Sequence, residues 1–362
     1  MENGGNGGIC VEEREVLSAL PERLLSWYPG HRRDLPWRRD RDPYHVWISE
    51  IMLQQTRVEA VREKYLRFLR ELPDVRALAA APEDRVMKLW EGLGYYSRAR
   101  NLQKTARILV ERNGGAFPET REEIRALPGI GDYTAGAICS ICYGMPTPAV
   151  DGNVLRVLSR LLTLEEVPAE PAVRGRRTEE LAAVDPAGAC GTFTQALMEL
   201  GATVCLPNGT PRCGKCPLRD LCGSAGGQWK RYPLRAEKKP RREEKRTVFL
   251  FTCGDRIALE KRPETGLLAG LWQFPNVPGE LDEAQALAAA RGFGLSPAGL
   301  RYRLSRSHVF THIRWDMTAY RIECACAGGG FLWTERDRVA REYSLPTAFR
   351  QFLEDETMGK GE

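Results

Sequence analysis

Over the first two thirds of the chain, apolar residues recur at intervals of three and four, and Pro, Gly, Asn or Asp interrupts each run before the next begins. That pattern predicts helix after helix, with no strand before Lys245. Asp42-Pro43 marks one helix start, the acidic side chain acting as cap and the proline suiting the first turn. Thr120 and Glu123 form a capping box at another, and Leu127-Pro128-Gly129 ends that helix. The character changes after Gln228–Arg246, a basic stretch whose Pro233 and Pro240 predict a linker. Beyond it, Thr247–Thr252 and Arg256–Glu260 flank Cys253-Gly254-Asp255 as a strand pair with a tight turn, and Ile313–Ile322 alternates apolar with polar residues. The expected organisation is multidomain: a disordered tail over 1–10, an all-α domain over 11–227, a basic linker over 228–246, a smaller α+β domain over 247–355 and a tail over 356–362.

Composition agrees with a globular protein, since 43% of the 362 residues are hydrophobic and 28% charged, enough material for two ordinary domains. The net charge of +5 matters because of where it sits: Gln228–Arg246 alone carries nine basic residues against Glu237, Glu243 and Glu244. No stretch approaches the ~20 apolar residues that a membrane span needs, and the first residues lack a signal-like apolar core. A soluble, cytoplasmic protein without a membrane partner is expected.

Eleven cysteines in a chain of this size point to metal ligation rather than disulfides. Cys205, Cys213, Cys216 and Cys222 lie within eighteen residues as C-x7-C-x2-C-x5-C. A compact four-iron cluster, a zinc site with one close pair and two singletons, or four buried structural thiols are the readings open to such a set. Pro207, Gly209, Pro211, Gly214 and Pro217 make the segment a loop, which disfavours the last. Arg212, Lys215 and Arg219 lie in the same loop, where cations would meet phosphate.

Leu127 to Ala135 contains a Pro-Gly-x-Gly turn between two helical segments, with Gly129 and Gly131 as its glycines. Uncovered amides and a following helix start suit one DNA phosphate, although a bare helix connector would look the same. Glu50 stands on a predicted helix between Val46, Trp47, Ile51 and Leu53, with only Gln54 nearby as polar company. Desolvation there would raise its pKa, as a general acid requires; a Glu paired with a core arginine or solvated at the helix edge is the bland alternative. Asp151 precedes the apolar-periodic run from Gly152 and reads as a helix cap, where its charge would be favoured and its pKa lowered. Two carboxyls whose pKa values are pushed apart are the arrangement that cleaves glycosidic bonds.

Taken together, Leu35-Pro36-Trp37-Arg38, Trp47 to Thr56, Trp90 to Asn101, Leu127 to Ala135, Val150-Asp151-Gly152-Asn153 and the four cysteines resemble, in order, the adenine DNA glycosylase family of the helix-hairpin-helix superfamily. The resemblance runs from about Val11 to Leu353. It implies an all-α helix-hairpin-helix domain with a [4Fe-4S] cluster on Cys205, Cys213, Cys216 and Cys222, followed by a Nudix-like α+β domain. It further implies that Glu50 protonates adenine, that Asp151 supports the sugar cation, and that Tyr133 and Asn153 position these groups. Arg33 and Arg38 match arginines around the adenine pocket, Gln55 a wedge into the base stack, and Leu93 and Tyr95 a DNA face where Arg98 and Arg100 meet phosphates. An endonuclease III-like enzyme would carry a Schiff-base lysine where this chain has Tyr133, so base removal without strand cleavage is expected.

In the second domain, Leu267 to Pro275 and Ser307 to His312 resemble the family's module for 8-oxoguanine, with Phe310, Thr311 and His312 as its recognition turn. Thr311 stands where Ser is frequent, and the first cysteine interval has seven residues where six are common. Only Glu280, Asp282 and Glu283 are acidic between Gly279 and Leu295, too few for Nudix hydrolysis with Mg²⁺. For His308 and Trp315 ordinary strand packing is expected. The implied partner is double-stranded DNA carrying adenine opposite 8-oxoguanine or guanine, met by a monomer that in a bacterium would work at the nucleoid; the sequence names no protein partner.

Overall fold

The computed structural model describes residues 11–236 and 240–358. The expected disordered tail at 1–10 therefore lies outside the described residues. The helical part comprises α1 (Val11–Ser18), α2 (Leu20–His31), α3 (Pro43–Leu53), α4 (Val58–Glu71), α5 (Val75–Ala80), α6 (Glu83–Leu89), α7 (Ser97–Asn113), α8 (Arg121–Arg125), α9 (Asp132–Tyr143), α10 (Gly152–Leu161), α11 (Pro171–Ala183) and α12 (Cys190–Thr203). Then follow β1 (Arg242–Cys253), β2 (Arg256–Lys261), β3 (Trp272–Gln273), β4 (Asn276–Pro278), α13 (Glu283–Gly292), β5 (Pro297–Val309), β6 (Ile313–Cys324), β7 (Leu332–Glu335), α14 (Arg336–Glu342) and α15 (Thr347–Met358). Among the described residues no helix is long and apolar enough to cross a membrane.

Local chemistry starts the helices where the sequence pattern predicts. Asp42 caps α3 by accepting from the amides of Tyr44 and His45, and Thr120 caps α8 by accepting from that of Glu123. The described residues form two compact units: one of residues 11–79 and 104–236, the other of residues 80–103 and 240–358. In the first, α12 packs against α2, α9 and α10, while α3 packs against α9 and α4. Leu20, Leu24 and Trp27 of α2, Val154, Leu155 and Leu158 of α10 and Phe193, Leu197 and Leu200 of α12 share one core, with Cys205, Cys216 and Cys222 packed on its edge.

The second unit is a seven-stranded sheet in the order β3-β2-β1-β6-β5, with β4 paired to β1 and β7 to β2. Among the described residues only β1 and β6 pair in parallel; the Gly254 turn, at φ +60°, closes the antiparallel β1–β2 hairpin. One face packs on α14 and α15 through Trp315, Phe349 and Phe352, the other on α13 through Phe249, Phe251 and Ala290.

Three boundaries differ from expectation. β1 begins at Arg242, inside the predicted linker, because Arg242–Arg246 pair with Ile313–Met317 and their charges find partners: Lys245 bonds Glu280 at 3.0 Å and the Arg246 guanidinium stacks on Trp315 at 4.6 Å. Residues Ala80–Gln103 join the strand-rich unit, since Lys88 donates to the carbonyls of Ala340 and Tyr343, Lys261 pairs with Asp84 at 3.1 Å, and Arg100 donates to the Ala269 carbonyl. At the far end α15 runs to Met358, past the expected boundary at 355.

Candidate active site

A cavity of about 670 Å³ opens in the helical unit, and Arg33, Arg38, Glu50, Gln55, Tyr133, Asp151 and Asn153 all line it. Glu50 lies on α3, a helix buried nearly all round by Val46, Trp47, Ile48, Ile51 and Met52, and only 6% of its own surface is exposed. Burial pushes its carboxyl up to about 7; the Tyr133 hydrogen bond opposes this, the nearby Asp151 charge adds to it, and Arg38 opposes it. The Tyr133 hydroxyl donates to Glu50 Oε2 at 2.5 Å and lies 3.4 Å from Met198 Sδ. Burial, then the two carboxyls, hold the Tyr133 phenol well above its usual range, so it remains a donor.

Asp151 caps α10, one carboxyl oxygen accepting from the amides of Asn153 and Val154 at 2.8 Å each and the other from Asn153 Nδ2 at 2.6 Å. The lowered pKa expected for a helix cap does not hold. Burial raises it, and the hydrogen bonds to its oxygens offset that only in part. Arg156 orients the Asn153 amide by donating to Oδ1 at 2.8 Å, and the same guanidinium bonds the carbonyls of Gly201 and Cys205.

Arg33 and Arg38 converge on Glu199, whose side chain is fully buried: Arg33 Nε bonds Oε1 at 2.8 Å and Arg38 Nη2 bonds Oε2 at 2.7 Å. Burial alone would push this carboxyl up, but the two arginines outweigh it and hold it down at about 2. Sequence reasoning missed Glu199. The signal was present, because an acid among Phe193, Ala196, Leu197 and Leu200 on α12 is the same anomaly that singled out Glu50.

Gln55 follows α3 with φ at +56°, a left-handed conformation costly for a non-glycine residue, and its side chain is exposed at the cavity. Gly129 has φ +77° and Gly131 caps α9; neither lines the cavity, whereas Tyr133 in the first turn of α9 does.

The remaining expected DNA-facing residues belong to the strand-rich unit. Tyr95 is 47% exposed with φ at +46°, and its hydroxyl bonds Thr311 Oγ1 at 2.7 Å. Leu93 is buried, contrary to expectation, and supports its loop from within. Arg98 and Arg100 are also not placed to meet phosphates. Arg98 donates to the carbonyls of Leu93 and Gly94, and Arg100 bonds Glu83 at 2.8 Å, because the tight turn leaves loop carbonyls and an acid that need donors. Thr311 and His312 are exposed at the β5–β6 turn, while Phe310 packs edge-on against Trp315 at 4.9 Å and His308 at 4.5 Å. Asp282 and Glu280 have structural duties: Asp282 makes a capping box with Gln285 on α13, and Glu280 pairs with Lys245 and Arg303.

Cys205, Cys213, Cys216 and Cys222 line one cavity of about 30 Å³ together with Arg160. Arg160 Nη1 lies 3.3 Å from Cys205 Sγ, and it also bonds the Leu206 carbonyl at 2.8 Å. Among the described residues no group of three or more His, Cys, Asp or Glu side chains is placed to hold a metal ion. All four cysteines line this one space, and four thiolates from one loop are the donor set that a four-iron cluster takes. Since Asp151, Arg156 and Arg160 all lie on or cap α10, this helix ties the cysteine loop to the carboxyl site.

Residues 48–182 match the HhH-GPD superfamily of base excision DNA repair proteins, and residues 247–355 match the NUDIX domain. A thermostable thymine-DNA glycosylase superposes with a TM-score of 0.54 at 30% identity, covering 59% of this chain and 97% of that one. An endonuclease III–DNA covalent complex shares the fold, with a TM-score of 0.51 at 24% identity over 60% of this chain and 98% of that one. Fold and site thus define a DNA glycosylase of the helix-hairpin-helix class. The adenine DNA glycosylase of Mus musculus is 36% identical over 95% of this chain and 79% of its own length, and that of Homo sapiens 40% identical over 84% and 67%. The chain belongs to the adenine DNA glycosylase family.

Proposed function

We propose that the protein is a monofunctional glycosylase that removes adenine paired with 8-oxoguanine, and less well with guanine, from double-stranded DNA. The observation that carries this reading is the Glu50–Tyr133 pair, a buried carboxyl pushed up to about 7 at an open cavity and held by a half-buried phenol. Such a group still holds a proton near neutrality and can give it away.

Glu50 donates that proton to N7 of the extruded adenine, so the C1′–N9 bond breaks with its electron pair leaving on a neutral base. Three hydrogen bonds to the oxygens of Asp151 favour its charged form, which faces the electron-poor sugar and stabilises or captures it. Water then supplies the hydroxyl at C1′, and its remaining proton returns to a carboxylate. Asn153 fixes the Asp151 rotamer, Tyr133 fixes Glu50, and the Arg33–Glu199–Arg38 group stiffens the pocket wall. Gln55, exposed and left-handed, suits the wedge that fills the stack once the nucleotide leaves. A phenol at position 133 cannot form the imine of a lyase.

In the second unit Phe310, Thr311 and His312 form the turn assigned to reading 8-oxoguanine, and Tyr95, bonded to Thr311, offers a ring to stack beside it. Gly129 and Gly131 free hairpin amides for one phosphate. Cys205, Cys213, Cys216 and Cys222 would hold a [4Fe-4S] cluster that braces the loop between them.

The test is incubation of the full chain with duplexes that differ only in the base opposite adenine, followed by alkali to reveal abasic sites. Breaks should appear only after alkali and most with 8-oxoguanine. Breaks before alkali, or no dependence on the opposite base, would overturn the assignment.

A further inference from the structure

Four arginines line the cavity: Arg33, Arg38, Arg156 and Arg174. Three are committed to protein partners, the first two to Glu199 and the third to Asn153 and the carbonyls of Gly201 and Cys205. Arg174 is different. It is exposed, and among the described residues its guanidinium has neither an ion pair nor a hydrogen bond.

Its place on α11 is also locally unfavourable. Arg174 falls in the first turn, where the helix dipole is positive; that turn contains no acidic residue, and the N-cap Glu170 just before it forms no ion pair with Arg174. The neighbouring cations do not share this state: Arg176 pairs with Glu166, and Arg177 pairs with Glu180 at 2.6 Å. Of the run Arg174-Gly175-Arg176-Arg177, one guanidinium alone is left without an anion, and it is the one at the cavity. A cation held against the dipole without a partner is a local conflict of the sort that marks a binding position.

The cavity also sets a problem for its substrate. Asp40, Glu50 and Asp151 line it, and the sugar to be drawn in carries a phosphodiester on each side. Anionic phosphates approaching these carboxyls need an uncommitted cation outside the reacting centre, and a planar guanidinium suits phosphate oxygens. We propose that Arg174 is a substrate-binding residue that grips a phosphodiester flanking the extruded nucleotide. The inference rests on the glycosylase reading above and assigns a DNA contact to α11, an element outside the motifs that reveal the site.

The test measures binding by the full chain to a duplex whose 8-oxoguanine faces a 2′-fluorinated deoxyadenosine that resists hydrolysis, with a fully paired duplex alongside. Arg174→Ala should flatten the slope of log affinity against log salt by about 0.9, the signature of one lost phosphate contact, on the mispaired duplex only. Arg174→Lys should restore most of the slope. Arg112→Ala, which removes an exposed arginine outside the cavity, should leave the slope unchanged. An unchanged slope in Arg174→Ala, or equal flattening on both duplexes, overturns the proposal. Adenine release by the wild-type protein is assayed separately; if that fails while Arg174→Ala still flattens the slope, the glycosylase reading falls and the phosphate contact stands.

Discussion

Glu50 illustrates how much a single side chain owes to its surroundings. A carboxyl moved from 4.5 to about 7 holds more protons in the folded than in the unfolded chain between those values. Folded stability therefore falls as pH rises through that window, by roughly 3 kcal/mol once both states are ionised. Glu50→Gln, which keeps an acceptor for Tyr133, should be more stable than wild type above pH 7 and indistinguishable near pH 4, as denaturant titrations at the two pH values would reveal. The same variant should lose about 100-fold or more in single-turnover adenine release, and the wild-type rate should decline above about pH 7 as the acid ionises. Near wild-type release by Glu50→Gln would remove the acid from the mechanism.

At the scale of elements, α10 and α12 decide whether the carboxyls are held in place. Gly201 lets α12 approach the start of α10, and a Cβ there would lie 2.7 Å from Asn153 Cβ and 3.1 Å from its carbonyl oxygen. Neither neighbour is the loose end of a flexible side chain, so the helices themselves must move. Gly201→Ala should cost about 1–3 kcal/mol of stability and, by displacing Asn153 from Asp151, lower the release rate beyond what the melting temperature explains. Thermal unfolding and single-turnover kinetics on one preparation separate the two effects. The hairpin between α8 and α9 shows what was legible at this scale: its glycines and caps follow from sequence, whereas the partnership of Tyr133 with Glu50 joins residues 83 apart and needs the packing of α3 on α9.

For the whole molecule, charge is distributed less simply than the chain suggests. The basic stretch from Gln228 is partly spent on internal pairs, Arg231 with Glu165 and Lys245 with Glu280 among them. Salt dependence of DNA binding should therefore report fewer phosphate contacts than nine basic residues would give. The cysteine loop matters at this scale because Arg156 and Arg160 join it to α10. Cys216→Ser in the full chain should abolish visible-blue absorbance and lower the melting temperature. Retained absorbance would exclude Cys216 as a ligand, and a colourless wild-type protein holding stoichiometric zinc would replace the cluster altogether.

What the chain alone determined was whatever depends on neighbours in sequence. Helix periodicity, the Asp42 and Thr120 caps, the Gly254 hairpin and the cysteine spacing belong to this group, as does an acid on an apolar helix surface. Tertiary structure decided what depends on burial and on distant partners. It desolvated the half-buried Asp151 and raised a pKa that its cap position would lower, and it turned Leu93 inward. It committed Arg33 and Arg38 to Glu199 and grouped Ala80–Gln103 with the strand-rich unit. The reason is physical: hydrogen-bond geometry within one turn is set by adjacent residues, while desolvation and ion pairing depend on which side chains folding brings close and how much water it removes.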